Sequence, residues 1–251
     1  MLTARADMVN RVNVAPASEP DLLLLRHHPD LRNRPEPRPG RVAQDTRAAA
    51  LSWNVFRTLS LVSAPFWLRR LRARLVGLSS LDSPPQVLDV HLWDTLASPG
   101  RPNGADAVRV DVLIDTDVAV YGLIVCDRTD LAIGDGTVPG ADPILSVIDA
   151  VSWYAGVRSC YMGLVTSDPA DAPVGSALIR RYASSRDLLL RRLSHRRDGL
   201  VNVSGIGSLT WRELASILRE CAEAGGLDDG ERFLARRTAD WLAGLGIHPT
   251  G

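Results

Sequence analysis

The sequence predicts an α/β fold, a mixed β-sheet flanked by helices with a helical C-terminal part. Three observations predict it. Residues 108–114 alternate as a half-buried strand does, with Val108, Val110, Val112 and Ile114 on one face. Asp142-Pro143 opens a helix in the expected way, Asp as N-cap and Pro in the first turn. The order of predicted elements is helix, strand, hairpin, helix, strand, then helices, which suits a mixed sheet with helices packed on it.

The elements follow in chain order. Residues 1–44 read as an extended arm, because Pro16, Pro20, Pro29, Pro35, Pro37 and Pro39 break any long element. His27 and His28 in this arm lack a second cluster of ligands, so a surface or docking role is expected of them. Residues 45–78 are helical in spacing, with Leu51, Val55, Phe56, Leu59 and Val62 on one face. Pro65 should interrupt the run, and a second helix through Leu68, Leu71 and Leu75 should follow. A strand is predicted at 86–93, then a Gly- and Pro-rich loop at 98–105. The strands 108–114 and 118–125 should form a hairpin turning at Asp115, Thr116 and Asp117. After the loop 127–141 come a helix at 142–155 and a strand at 159–166. An arginine-rich helix is expected at 176–194. Gly205-Ile206-Gly207 lacks a dinucleotide fingerprint and reads as a turn. Thr210-Trp211-Arg212-Glu213 fits a capping box, and a last helix should cover 230–244. The predicted organisation is an arm (1–44), an α/β core (45–200) and a helical C-terminal part (201–251).

Composition narrows the chemistry. The chain of 251 residues has 45% hydrophobic residues and zero formal net charge, so bulk charge does not make it a polyanion binder. No apolar stretch is long enough for a membrane span and no signal peptide is visible, which predicts a cytoplasmic protein. Three cysteines, Cys126, Cys160 and Cys221, have no metal-ligand spacing and read as reduced thiols. All 29 cationic Lys/Arg positions are arginine. Schiff-base chemistry, a lysine base and a P-loop lysine are therefore excluded.

Four segments carry a family resemblance: Ala50 to Arg57, Val110 to Ile114, Ile148 to Gly156 with Trp153-Tyr154-Ala155-Gly156, and Leu209 to Leu214. In order and spacing they resemble bacterial restriction-endonuclease-like proteins of the PD-(D/E)xK superfamily, over roughly residues 45 to 247. The resemblance implies a DNA-cutting site. In it an acidic residue on the opening helix, an Asp on the first hairpin strand and a Glu-x-Lys on the second hold Mg²⁺ and the attacking water. Asp111 matches the strand aspartate. Ile124-Val125-Cys126, or Cys126-Asp127-Arg128 in a shifted reading, stands where Glu-x-Lys belongs, and Ala48, Ala49 and Ala50 stand where the helix acid belongs.

Three readings follow. The first is a pseudonuclease without cofactor, binding DNA or scaffolding a bacterial DNA-processing or defence assembly. Its phosphate contacts would come from Arg69, Arg70, Arg72 and Arg74, and from Arg180, Arg181, Arg186, Arg191, Arg192, Arg196 and Arg197. The second is a surviving Mg²⁺ nuclease in which Asp111 pairs with Asp127 or Asp115 and Arg128 replaces the lysine. The third is a protein-interaction module or homo-oligomer subunit anchored by aromatics among Trp67, Trp93, Trp153, Tyr154, Trp211 and Trp241.

Overall fold

The computed structural model describes residues 42–78, 85, 88–99, 107–127, 131 and 142–250. The expected arm, most of the loop 127–141 and the pair His27 and His28 lie outside them. The described residues divide into two compact units, one of those up to 67 together with those from 211 on, and one of those between 68 and 210.

In the first unit, α1 (Val42–Ser60) ends before Pro65; α2 (Ala64–Val76) begins there, as the proline predicts, and from Leu68 onward it belongs to the second unit. With α6 (Trp211–Glu223) and α7 (Asp229–Gly244), α1 forms the helical cluster of the first unit. Its apolar interior includes Trp53, Phe56, Leu59, Trp67, Trp211 and Leu214, all essentially inaccessible. Phe56 meets Trp211 edge to face at 6.5 Å. Asp228 caps α7 in a capping box with Glu231, and Glu231 also accepts hydrogen bonds from Ser63 N and Oγ. Those bonds from Ser63, chiefly the hydroxyl's, hold the Glu231 carboxyl below the usual carboxylate range.

The second unit is the sheet. Its strands are β1 (Leu88–Leu96), β2 (Val108–Thr116), β3 (Ala119–Cys126), β4 (Ser159–Thr166) and β5 (Val203–Thr210), and they lie side by side in chain order. β1–β2 and β2–β3 are antiparallel, and β3–β4 and β4–β5 are parallel. The 108–125 hairpin is therefore formed, and the strand at 159–166 shares its sheet. Thr116 sets the hairpin turn, since its Oγ1 accepts from Val118 N and Ala119 N and donates to Ala119 O. β3 is apolar on both faces, as a central strand covered on each side must be.

The parallel step from β3 to β4 requires a crossover, and α3 (Pro143–Ala155) supplies it. Asp142 caps that helix by accepting from Ile144 N and Leu145 N, and Gly156 ends it at φ 61°. α3 and α4 (Pro173–Ser184) cover one face of the sheet, where Val120, Ile124, Met162, Ile148, Val151 and Ile179 form a continuous core. The last turn of α2 meets β4 and β5, where a Cβ on Gly163 or Gly207 would strike Leu75.

Two expectations are corrected here. The helical C-terminal part does not begin at 201, because Val203–Thr210 is the edge strand β5 and Gly205-Ile206-Gly207 lies within it rather than in a turn. The arginine-rich helix at 176–194 is two helices, α4 and α5 (Arg186–Arg192), broken at Ser185, whose side chain caps α5 by accepting from Leu188 N. Among the described residues no helix is long and apolar enough to cross a membrane.

Candidate functional site

The position that carries the family resemblance lies where β2 and β3 part. Their ladder runs from Asp115–Val120 to Val112–Leu123 and goes no further. Beyond it β2 continues against β1 alone, through Val110–Asp94 to Val108–Leu96. At the fork the Asp111 carboxylate takes over the role of a strand acceptor. Its Oδ2 accepts the N–H of Val125 at 2.9 Å, and Oδ1 receives Arg109 Nη2 at 3.3 Å. Ile124 and Cys126 are only 6% and 5% exposed and belong to the apolar core beneath α3. Asp127 is buried at the end of β3 and accepts from Ser167 Oγ. Arg128 lies outside the described residues.

A hard divalent cation needs several oxygen donors converging on one point. Ile124 offers none, the Cys126 thiol is a poor partner for Mg²⁺, and the Asp111 carboxylate is committed to Val125 and Arg109. Among the described residues, Asp111 on β2 and Asp127 at the end of β3 are carboxylates near the fork, while Ile124 and Cys126 stand where the resemblance implies Glu and Lys. Asp115, the other candidate partner of Asp111, is engaged by Tyr154 Oη and Arg158 Nη1 and ties the hairpin to the end of α3. Ala49 and Ala50 are buried in the helical unit. Among the described residues no group of three His, Cys, Asp or Glu side chains is placed to hold a metal.

No protein-family model, no curated protein and no solved structure matches this chain.

The arginines divide by burial. Arg69 is exposed and Arg70 and Arg74 are half-buried, but Arg72 is buried, its guanidinium 5.4 Å over the ring of Tyr161. Tyr161 stacks on Tyr121 at 4.9 Å, and burial pushes the Tyr121 phenol up to about 12. Arg180 and Arg181 on α4, Arg191 and Arg192 at the end of α5, and Arg197 are all exposed. Arg186 is exposed too, with Nη2 donating to the carbonyls of Gly199 and Leu200. Arg196 is not a surface residue. It is buried and donates to both oxygen types of Asp149, to Ser152 Oγ and to Asp198.

That polar network was not anticipated. Asp149 is the one charged residue in α3, and a lone Asp in an otherwise apolar helix is the signal that could have found it. Its Oδ2 accepts from Ser98 Oγ at 2.7 Å and lies 2.9 Å from His195 Nε2. Ser98 and His195 share one carboxylate oxygen, rather than forming a chain from nucleophile through base to orienting acid. The arrangement fastens the end of β1 and the 195–198 segment onto α3, and is structural in design. The Asp198 carboxyl is held below its ordinary range, chiefly by the hydrogen bond from Arg196. Burial works against the Arg196 charge, but its bonds to Asp198 and Asp149 outweigh that and raise its pKa.

The aromatic anchors also sort themselves. Trp67 and Trp211 are core residues, and Trp93 and Trp241 are half-buried. Trp153 and Tyr154, in the last turn of α3, stand exposed.

Proposed function

We propose that this chain is a non-catalytic protein of restriction-endonuclease-like fold that binds DNA in a bacterial DNA-processing or defence assembly, or scaffolds one, and acts in the cytoplasm. One observation carries the reading. The aspartate at the catalytic position of the resemblance closes a fork between two strands by accepting Val125 N, with Ile124 and Cys126 buried in the core beside it. The mixed sheet, antiparallel from β1 to β3 and parallel from β3 to β5, supports the superfamily assignment at the level of architecture. The exposed arginines of α4, α5 and Arg197 support DNA contact, since guanidinium groups pair with phosphate oxygens without reading sequence.

The test has two arms. Purified protein incubated with duplex DNA and Mg²⁺ or Mn²⁺ should leave it uncut. It should bind DNA at low salt with an affinity that falls steeply as salt rises, and Arg191→Glu with Arg192→Glu should weaken binding about tenfold or more. Cutting that disappears in Asp111→Ala would restore the Mg²⁺ nuclease. No binding at low salt would remove DNA from the reading.

A further inference from the structure

The segment from α4 through α5 to Leu200, which holds the arginines of the DNA reading, also carries five side-chain hydroxyls: Ser176, Tyr182, Ser184, Ser185 and Ser194. Four of them are committed. Ser176 Oγ donates to Pro169 O, Tyr182 Oη to Asp142 Oδ2 and Ser184 Oγ to Arg181 O, and Ser185 Oγ caps α5 by accepting from Leu188 N. Ser194 differs. It lies exposed just past the end of α5, and among the described residues its hydroxyl makes no hydrogen bond. Arg191 and Arg192 precede it and Arg197 follows it, all exposed and in no ion pair among the described residues. Arg196 is spent on Asp149 and Asp198, and His195 on Asp149, so the available positive charge around Ser194 is that of those three arginines.

We propose that Ser194 is a phosphorylation site and that its phosphate switches off DNA contact by the same arginines; the switch, though not the site, rests on the DNA reading. Recognition and effect come from the same charges. A protein kinase that selects basic residues ahead of its acceptor meets two unpaired guanidinium groups there, and a hydroxyl that gives up no hydrogen bond when it moves. In the transfer, Ser194 Oγ attacks the γ-phosphorus of ATP. A new O–P bond forms and the bond from that phosphorus to the β,γ-bridging oxygen breaks. ADP leaves with the electron pair, and the hydroxyl proton passes to a base of the kinase. The product carries about −1.5 to −2 charges where there was none. Arg191 stands one helical turn before Ser194, within reach of such a phosphate, and a charge-assisted pair there holds its guanidinium away from the phosphates of DNA. The new phosphate also lies beyond the C-terminus of α5, where the helix dipole disfavours negative charge, so its compensation falls to those arginines.

Phosphate transfer to the full chain, read by peptide mass spectrometry, and duplex-DNA titration of the product test the two halves. Incubation with ATP, Mg²⁺ and a kinase of that basic-residue preference should place a phosphate on Ser194. Arg191→Ala with Arg192→Ala should slow incorporation there about tenfold or more. The phosphorylated chain should bind duplex DNA about tenfold or more weakly than the unmodified chain at the same salt, with a shallower salt dependence. Ser194→Ala should bind as the unmodified wild type does, before and after kinase treatment. No phosphate at Ser194 overturns the site, and a Ser194 phosphate that leaves DNA affinity unchanged overturns the switch. An unmodified chain that does not bind DNA at low salt removes the DNA reading and the switch together, while incorporation at Ser194 still decides the site.

Discussion

The carboxylate of Asp111 on β2 accepts the backbone N–H of Val125 on β3 at 2.9 Å. A side chain thus supplies the hydrogen bond that the diverging backbone of β2 no longer can. Asp111→Ala should leave that half-buried N–H without its acceptor and cost about 1–3 kcal/mol in urea unfolding. Asp111→Asn keeps an oxygen at the same reach and should cost clearly less. Equal stability of both variants with the wild type would show that water replaces the carboxylate at no cost.

The pH dependence of stability has a sign at each end. The Asp198 carboxyl is depressed, first by its hydrogen bond from Arg196, and Glu231 is depressed by Ser63. A depressed folded value favours the charged form. Its stabilisation is fully present above the unfolded range near pH ~4, and is lost as pH falls through the folded values. Tyr121 behaves oppositely. Burial favours its neutral form, so that contribution is fully present below pH ~10 and is lost as pH climbs towards about 12. Melting temperature measured against pH should show an acid limb that flattens in Asp198→Asn and an alkaline limb that flattens in Tyr121→Phe. Limbs unchanged by either substitution would assign the slopes to other groups.

At Gly207 an added Cβ would stand 1.7 Å from the carbonyl oxygen of Leu75, a backbone atom that cannot rotate away. Gly207→Ala should therefore cost about 3 kcal/mol or more, or abolish folding. Gly163→Ala should be milder, because the atoms it meets are the tips of the Leu75 and Leu123 side chains. Chemical denaturation of the two variants in parallel checks the ranking, and a tolerant Gly207→Ala would mean that the end of α2 is free to shift.

The same glycine explains why part of the fold was hidden in the sequence. The β2–β3 hairpin was legible because its alternation and turn residues are local, and so was α3 with its Asp142-Pro143 cap. β5 reads Val-Ser-Gly-Ile-Gly-Ser-Leu-Thr, and two glycines in eight residues look like a turn. They are required by the end of α2, which is remote in sequence, so no local pattern announces them. The division of the arginines was equally non-local. Arg196 and Arg197 are neighbours in the chain, yet one is buried against Asp149 and the other faces solvent. The use of Asp111 as an acceptor for Val125 depends on where the ladder ends, which no local pattern announces.

The Arg196–Asp149 pair offers the sharpest energetic test. Both side chains are almost wholly inaccessible, with Nη1 to Oδ1 at 3.0 Å. Removing one partner leaves a buried charge uncompensated, so Arg196→Met alone should cost about 3–5 kcal/mol. Asp149→Asn should also be costly, because Ser98, His195 and Arg196 all converge on that carboxylate. In the double variant no buried charge is stranded at the pair, and the combined loss should fall short of the sum by about 1–3 kcal/mol. A double-mutant cycle by urea unfolding measures that coupling directly. Losses that simply add would mean that the pair is solvated in the folded chain, and that the 195–198 segment is held to α3 by Asn202, Ser152 and packing instead.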